Sequence, residues 1–260
     1  MYVFITGACG GLGQALIQRL SELNHVIIAT DIHQQYNFSQ KNVQYYPLDV
    51  SNHSEWEKLL NTIYQKHHID VLINLAAIIQ PRYVFDFTEK EITKQIDINL
   101  KGLIYGTYLV AKKMKETQNG HIINISSLAG IAPIPGISLY SATKFAVRAF
   151  SLAIALELKP YNVYVSVICP DAIKTPMLDY QKDFIEAALS FSNFYYLTPE
   201  YVSKVILKTM KTKELEVIIP MYRGLLAKVV SAFPSSSKIL FPLIRNLGIY
   251  YQKKFRRQKS

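Results

Sequence analysis

Seven short apolar runs rich in valine and isoleucine punctuate the chain, at residues 2–6, 26–30, 43–46, 69–75, 121–125, 163–168 and 216–219. Segments with helical spacing separate them, at 11–23, 53–67, 91–116, 138–158 and 198–210. Runs that are apolar at nearly every position suit strands covered on both faces, and helical crossovers make neighbouring strands parallel. Right-handed crossovers then predict an α/β fold, a doubly wound parallel sheet flanked by helices. No repeat or linker interrupts the pattern before about residue 221. Residues 1–220 therefore read as one domain, and 221–260 as a C-terminal extension.

Two places in this pattern carry chemistry. The first is the turn after the first strand, "VFITGACGGLG", where Gly7, Gly11 and Gly13 open a helix. Glycines there allow a tight turn, close approach of the backbone to a ligand and close helix packing. The helix N-terminus then offers unpaired N–H groups and a positive dipole end to a pyrophosphate. The second strand ends at Asp31, 18 residues after Gly13. A carboxylate there accepts the ribose hydroxyls of an adenosine and repels a 2′-phosphate, and no Arg or Lys lies in 7–13 or 30–35. NAD(H) is expected over NADP(H). Asp49, at the end of the third strand, either meets the adenine edge or caps the following loop.

The second place is "SLYSATKFAV" (138–147), which puts Tyr140 and Lys144 on a helix that is apolar on most faces. Four residues turn a helix by about 400°, so the two side chains stand about 40° apart on one face. A free phenol has a pKa of ~10, and a nearby ammonium and a cationic nicotinamide ring would lower it. Tyr140 could then exchange a proton with an alcohol or carbonyl while hydride moves to or from the dinucleotide.

With these residues in view the chain resembles the short-chain dehydrogenases/reductases over about residues 1–220. Thr6-Gly7, Gly11 and Gly13 match the cofactor loop, and "NLAA" (74–77) stands where the family has Asn-Asn-Ala-Gly. Asn99 in "INLKG" matches the family's helix asparagine, and Ser127 precedes Tyr140 by thirteen residues, as the family's serine does. The resemblance implies a Rossmann-type fold and a catalytic set of Asn99, Ser127, Tyr140 and Lys144. Ser127 would hydrogen-bond the substrate oxygen, Lys144 would hold the nicotinamide ribose, and Asn99 would position a relay water. Cofactor contacts would fall on Thr6, Gly7, Gly11, Leu12, Gly13, Asp31, Asp49, Val50, Asn74, Ala76, Tyr140, Lys144, Pro170, Ile173 and Thr175. The sequence departs from the family at Asp171, which replaces the glycine of a Pro-Gly pair, and at Leu75 and Ala77.

Composition refines this picture. Of 260 residues, 50% are hydrophobic, enough for a large core. Cys9 and Cys169 are the two cysteines, too few for a disulfide framework. No metal-ligand set stands out, and the six histidines are scattered. A strand follows Met1 almost at once, leaving no room for a cleavable leader, so a reducing, cytoplasmic setting is expected. The segment 177–197 is aromatic (Tyr180, Phe184, Phe191, Phe194, Tyr195, Tyr196) and poor in charge. It either lines a pocket for a large apolar alcohol or ketone, such as a steroid, retinoid or long-chain lipid, or packs a lid against the body.

The net charge of +10 resides in the extension. Nine basic residues and no acid fall in 221–260, leaving 20 basic against 19 acidic side chains before it. Leu225, Leu226, Val229, Val230 and Phe233 share a helical stripe, and a second apolar set ends in a basic cluster at 253–259 (Lys253, Lys254, Arg256, Arg257, Lys259). Lys228, Lys238, Arg245, Pro234 and Pro242 interrupt any bilayer-spanning run. The expectation is an interfacial anchor for an anionic membrane surface at the inner face; the competing reading packs the stripe on the body. No nucleic-acid motif accompanies the basic residues. A homodimer or homotetramer is expected from the resemblance, through the helices near 91–116 and 138–158. Two functions compete: an NAD-dependent alcohol dehydrogenase or ketone reductase, and an idle dinucleotide-binding sensor or scaffold. Intact Ser127, Tyr140 and Lys144 favour the first.

Overall fold

The computed structural model describes residues 1–193 and 195–257; Phe194 and Lys259 lie outside the described residues. Seven strands, β1 (Tyr2–Thr6), β2 (Val26–Asp31), β3 (Val43–Pro47), β4 (Val71–Asn74), β5 (Gly120–Ile125), β6 (Val163–Pro170) and β7 (Glu216–Ile219), form one parallel sheet in the order β3-β2-β1-β4-β5-β6-β7. Every expected strand is present. The order reverses between β1 and β4, and such a switch point opens a crevice at the carboxyl ends of the strands.

Helices cover both faces because each turns an apolar stripe to the sheet. On one face α1 (Gly11–Glu22) contributes Leu16, Ile17 and Leu20, and α7 (Pro199–Thr212) contributes Val202 and Ile206, all fully buried. On the other, α2 (His53–Tyr64), α4 (Leu103–Thr117) and α5 (Ser138–Leu158) bury Trp56, Val110 and Ile154. Each large aliphatic side chain so buried contributes about 1.5–3 kcal/mol. Trp56 stacks on Phe4 at 5.4 Å, and its indole N–H donates to the Val50 carbonyl. Gly106 lies under that ring, where a Cβ would approach to 2.6 Å.

Residues 91–116, expected as one helix, divide. α3 (Glu89–Ile96) carries a Thr88–Glu91 capping box, and Asp97–Gly102 form a π turn before α4 begins. The extension also differs from a free tail. After α6 (Pro176–Gln181) and a 3₁₀ turn at Ile185–Phe191, the chain reaches α8 (Met221–Ala232) and α9 (Ser237–Arg257), and both pack on the body. Val230 is buried, Gly248 lies against the Ala188 backbone, and Gln252 donates to the carbonyls of Gln181 and Phe184. The helix α5 has the length and apolarity of a membrane span, but Ser141, Lys144 and Ser151 are buried along it and its residues pack on the sheet, as in a core helix.

Candidate active site

The carboxyl ends of β1, β2, β4, β5 and β6 surround a cavity of about 460 Å³. Gly7, Gly11, Leu12 and Gly13 form its floor at the start of α1. Gly7 has φ +68°, and a Cβ there would lie 2.8 Å from the Ala76 amide nitrogen; at Gly13 one would meet the Gly7 carbonyl at 2.5 Å. No side chain caps α1 and no acid occupies its first turn, which leaves the dipole end to a ligand. Ala76, Pro170, Ile173 and Thr175 line the same cavity, so a dinucleotide laid along it meets both ends of the expected contact set. The glycine cradle, the open helix end and the β2 carboxylate fit such a cofactor.

Asp31 closes the β2 end. Its carboxylate accepts from the Cys9 and Ile32 amides at 3.0 and 2.9 Å and meets His33 Nδ1 at 2.7 Å. It therefore ties the glycine loop to β2 as well as facing the cavity. Potential ligand atoms of Cys9, Asp31 and His33 gather within 4.8 Å, a juxtaposition the sequence spacing concealed. Burial, with the Asp31 charge beside it, pushes the Cys9 thiol up to about 11, so it is no ready nucleophile.

At the other end Ser127, Tyr140 and Lys144 face the cavity together. β5 delivers Ser127, and α5 delivers the other two from adjacent turns of one face. The Lys144 ammonium is 3% exposed, donates to the Ile125 carbonyl at 2.9 Å and lies 5.6 Å from the centre of the Tyr140 ring. Ser126 fixes the turn beneath by donating to the Lys144 carbonyl. Burial pushes the Tyr140 phenol up to about 12, with a hydrogen bond from Ser127 acting against the rise, and pushes Lys144 down to about 8. In the chain alone desolvation of the phenol therefore outweighs the hydrogen bond from Ser127.

Five expected site residues stand behind the cavity wall and not in it. Thr6 accepts from the Leu75 and Ala76 amides, and Asn74 donates to Asn124 and Thr107; both hold β4 against its neighbours. Asn99 accepts from the Ile78 amide and donates to the Ile78 carbonyl and to Thr143, so its side chain fixes the β4 loop. Asp49 accepts from the Ser51 amide and hydroxyl, which is the loop-capping alternative, and Val50 packs on Gly102.

Of the two readings of the lid, the structure takes the packed one. Phe191 is fully buried against Phe255 (5.3 Å) and Tyr196, while Phe184 lies tilted against Tyr180 and under Arg82. These rings pack the lid onto α9. The cavity wall beside Tyr140 is aliphatic, with Ile79, Leu128, Ile134, Met177, Leu178 and Leu189. Its charged residue from the extension, Arg223, was not foreseen. The Arg223 guanidinium pairs with Asp171 at 2.9 Å, and Asn193 donates to the same carboxylate oxygen. The residue that replaces the family's glycine thus anchors α8 to the cleft.

Fold, glycine cradle and tyrosine–lysine pair define a dinucleotide-binding oxidoreductase. A family model for short chain dehydrogenases matches residues 1–185, and the chain belongs to that family. It is 34% identical over 218 residues to the NADP-dependent 3-hydroxy acid dehydrogenase YdfG of Escherichia coli K12, covering 79% of this chain and 87% of that one. It is 29% identical over 184 residues to the cyclopentanol dehydrogenase of Comamonas testosteroni, covering 67% and 74%. Among solved structures, 4-hydroxyisoleucine dehydrogenase complexed with NADH superposes with a TM-score of 0.73 at 26% identity, covering 84% of this chain and 96% of that one.

Proposed function

We propose that the protein is an NAD(H)-dependent oxidoreductase interconverting an apolar secondary alcohol with its ketone. The observation that carries this reading is Ser127, Tyr140 and Lys144 converging on one cavity with the glycine loop. A bound nicotinamide dinucleotide supplies or accepts the hydride. The chain does the rest. Ser127 orients the substrate oxygen, Tyr140 gives or takes its proton, and Lys144 holds its charge beside the phenol and the cofactor ribose. Tyr140 would meet a second positive charge, besides that of Lys144, when an oxidised cofactor is bound. An idle sensor would not require a proton-transfer set aimed into the cleft. The test is a panel of lipophilic secondary alcohols with NAD⁺, followed by NADH absorbance, with Tyr140→Phe as control.

The aliphatic wall beside Tyr140 supports a large apolar substrate, a steroid, retinoid or long-chain lipid among the candidates. The outward faces of α8 and α9 support association with an anionic membrane surface from the cytoplasmic side. Tyr222, Leu225, Val229 and Phe233 on α8, and Ile239, Leu243 and Tyr250 on α9, are 47–72% exposed. Exposed Lys238, Lys253 and Lys254 accompany them, and 221–260 itself holds no acid, while Lys228 pairs with Glu216 of β7. The triple variant Leu225→Ser/Val229→Ser/Leu243→Ser is expected to lose sedimentation with phosphatidylserine vesicles. Unchanged sedimentation, or none by the wild type, removes the idea.

The exposed face of α5 supports a homo-oligomer. Ala142, Ala149, Ala153 and Leu156 share one stripe, and small side chains let a second copy approach closely. Ala149→Arg is expected to convert a dimer or tetramer to a smaller species in light scattering after gel filtration.

A further inference from the structure

Beside the catalytic cavity lies a second, smaller hollow of about 90 Å³. The two share four wall residues, Leu128, Ile134, Leu189 and Arg223. They are therefore neighbouring compartments of one cleft. The far wall of the second comes from the extension: Leu226, Ala227 and Val230 of α8, with Phe241 and Ile244 of α9. Its polar side chains are Ser192 and Arg223, and these bond to each other at 3.3 Å. Arg223 also pairs with Asp171, so its charge is compensated and its guanidinium is held at the boundary by two partners. The groove is largely apolar, shares a wall with the reaction site, and is closed on its far side by helices beyond the 1–185 segment matched by the family model.

We propose that this groove binds the unbranched alkyl chain of the substrate. The carbinol or carbonyl carbon sits at Tyr140, and the chain runs past the aliphatic side of Arg223 into the space between α8 and α9. This rests on the alcohol dehydrogenase reading and narrows it, favouring a linear aliphatic chain over a rigid fused-ring substrate. Arginine suits the boundary because its methylene stem packs on apolar surface while the head stays paired. A methylene occupies about as much space as a water molecule, so a hollow of this size takes a run of several. Each one buried should raise kcat/KM about fourfold until the groove is full.

The test is kcat/KM for a homologous series of 2-alkanols, from 2-butanol to 2-dodecanol, with NAD⁺. In the wild type the values should climb with chain length and then level off. Ala227→Phe fills the groove from α8, and Ile244→Trp fills it from α9, where the side chain is half-buried. Either should lower the 2-decanol to 2-butanol ratio at least tenfold. A second measurement separates this proposal from the reaction itself: saturable binding of a dansyl-labelled decanol, followed by fluorescence. Binding that both variants abolish supports the groove even if no alcohol in the series is oxidised, an outcome that would count against the reaction alone. A flat chain-length profile without probe binding overturns the proposal, as does an unchanged ratio in both folded variants.

Discussion

Tyr140→Phe is expected to lower kcat/KM for alcohol oxidation by about a thousandfold, the usual size of a positioned general acid–base contribution. The affinity for NADH, read by fluorescence quenching, should stay within a few-fold of wild type. The substitution removes one oxygen and keeps the ring, which packs on Ile79, Ala129 and Ile137. A loss of turnover would therefore report chemistry and not collapse of the cleft. The pH dependence gives an independent sign. Oxidation needs Tyr140 deprotonated, and burial holds the phenol up to about 12 in the chain alone. The wild-type oxidation rate should accordingly rise with pH through and above neutrality, with an apparent pKa below 12 once the cationic cofactor is bound. Ketone reduction needs the protonated form and should not rise. The phenylalanine variant should lose the slope as well as the rate. Undiminished turnover, or a retained slope, would remove Tyr140 from the mechanism.

How much of this was readable from the chain depends on the range of the interaction involved. The central strands β1, β2, β4, β5 and β6 were legible because they are buried at nearly every position, so their apolar runs show little polar alternation. Ser127, Tyr140 and Lys144 were legible because helix geometry and a strand end fix their relation locally. The division of 91–116 was not. Its π turn is accompanied by Asn99 reaching the Ile78 backbone, a partner on another element that helical periodicity does not register. The same holds for Asp171 and Arg223, which meet only because α8 folds back over β6 and β7. The aromatic lid left two readings open for a related reason. Rings at 191 and 196 announce burial without saying against what, and Phe255 of the extension proves to be the partner. The extension itself was half read. Its apolar stripes divide, Val230 and Phe255 inward and Leu225 and Leu243 outward, and composition could not assign the two faces.

Asp31 should set cofactor choice, and Asp31→Ser is expected to shift the NAD⁺ to NADP⁺ ratio of kcat/KM by about a hundredfold toward NADP⁺. A phosphate about 4 Å from this carboxylate meets a repulsion of about 1 kcal/mol in water and about 4 kcal/mol at the effective dielectric near a protein surface. Those limits bracket a preference from about fivefold to about 900-fold. The Asp31 side chain is only 11% exposed, which argues against the watery limit. The Cys9 and Ile32 amides donate to the carboxylate at 3.0 and 2.9 Å, which disperses its charge and argues against the other. Serine keeps an oxygen for the ribose hydroxyl and for the Cys9 amide that Asp31 now holds, so the glycine loop should keep its shape. The gain with NADP⁺ should then come from lost repulsion, and the smaller loss with NAD⁺ from a weaker ribose hydrogen bond. A wild-type enzyme that uses both dinucleotides equally, or a variant whose ratio does not move, would show that the β2 carboxylate serves only to brace the loop.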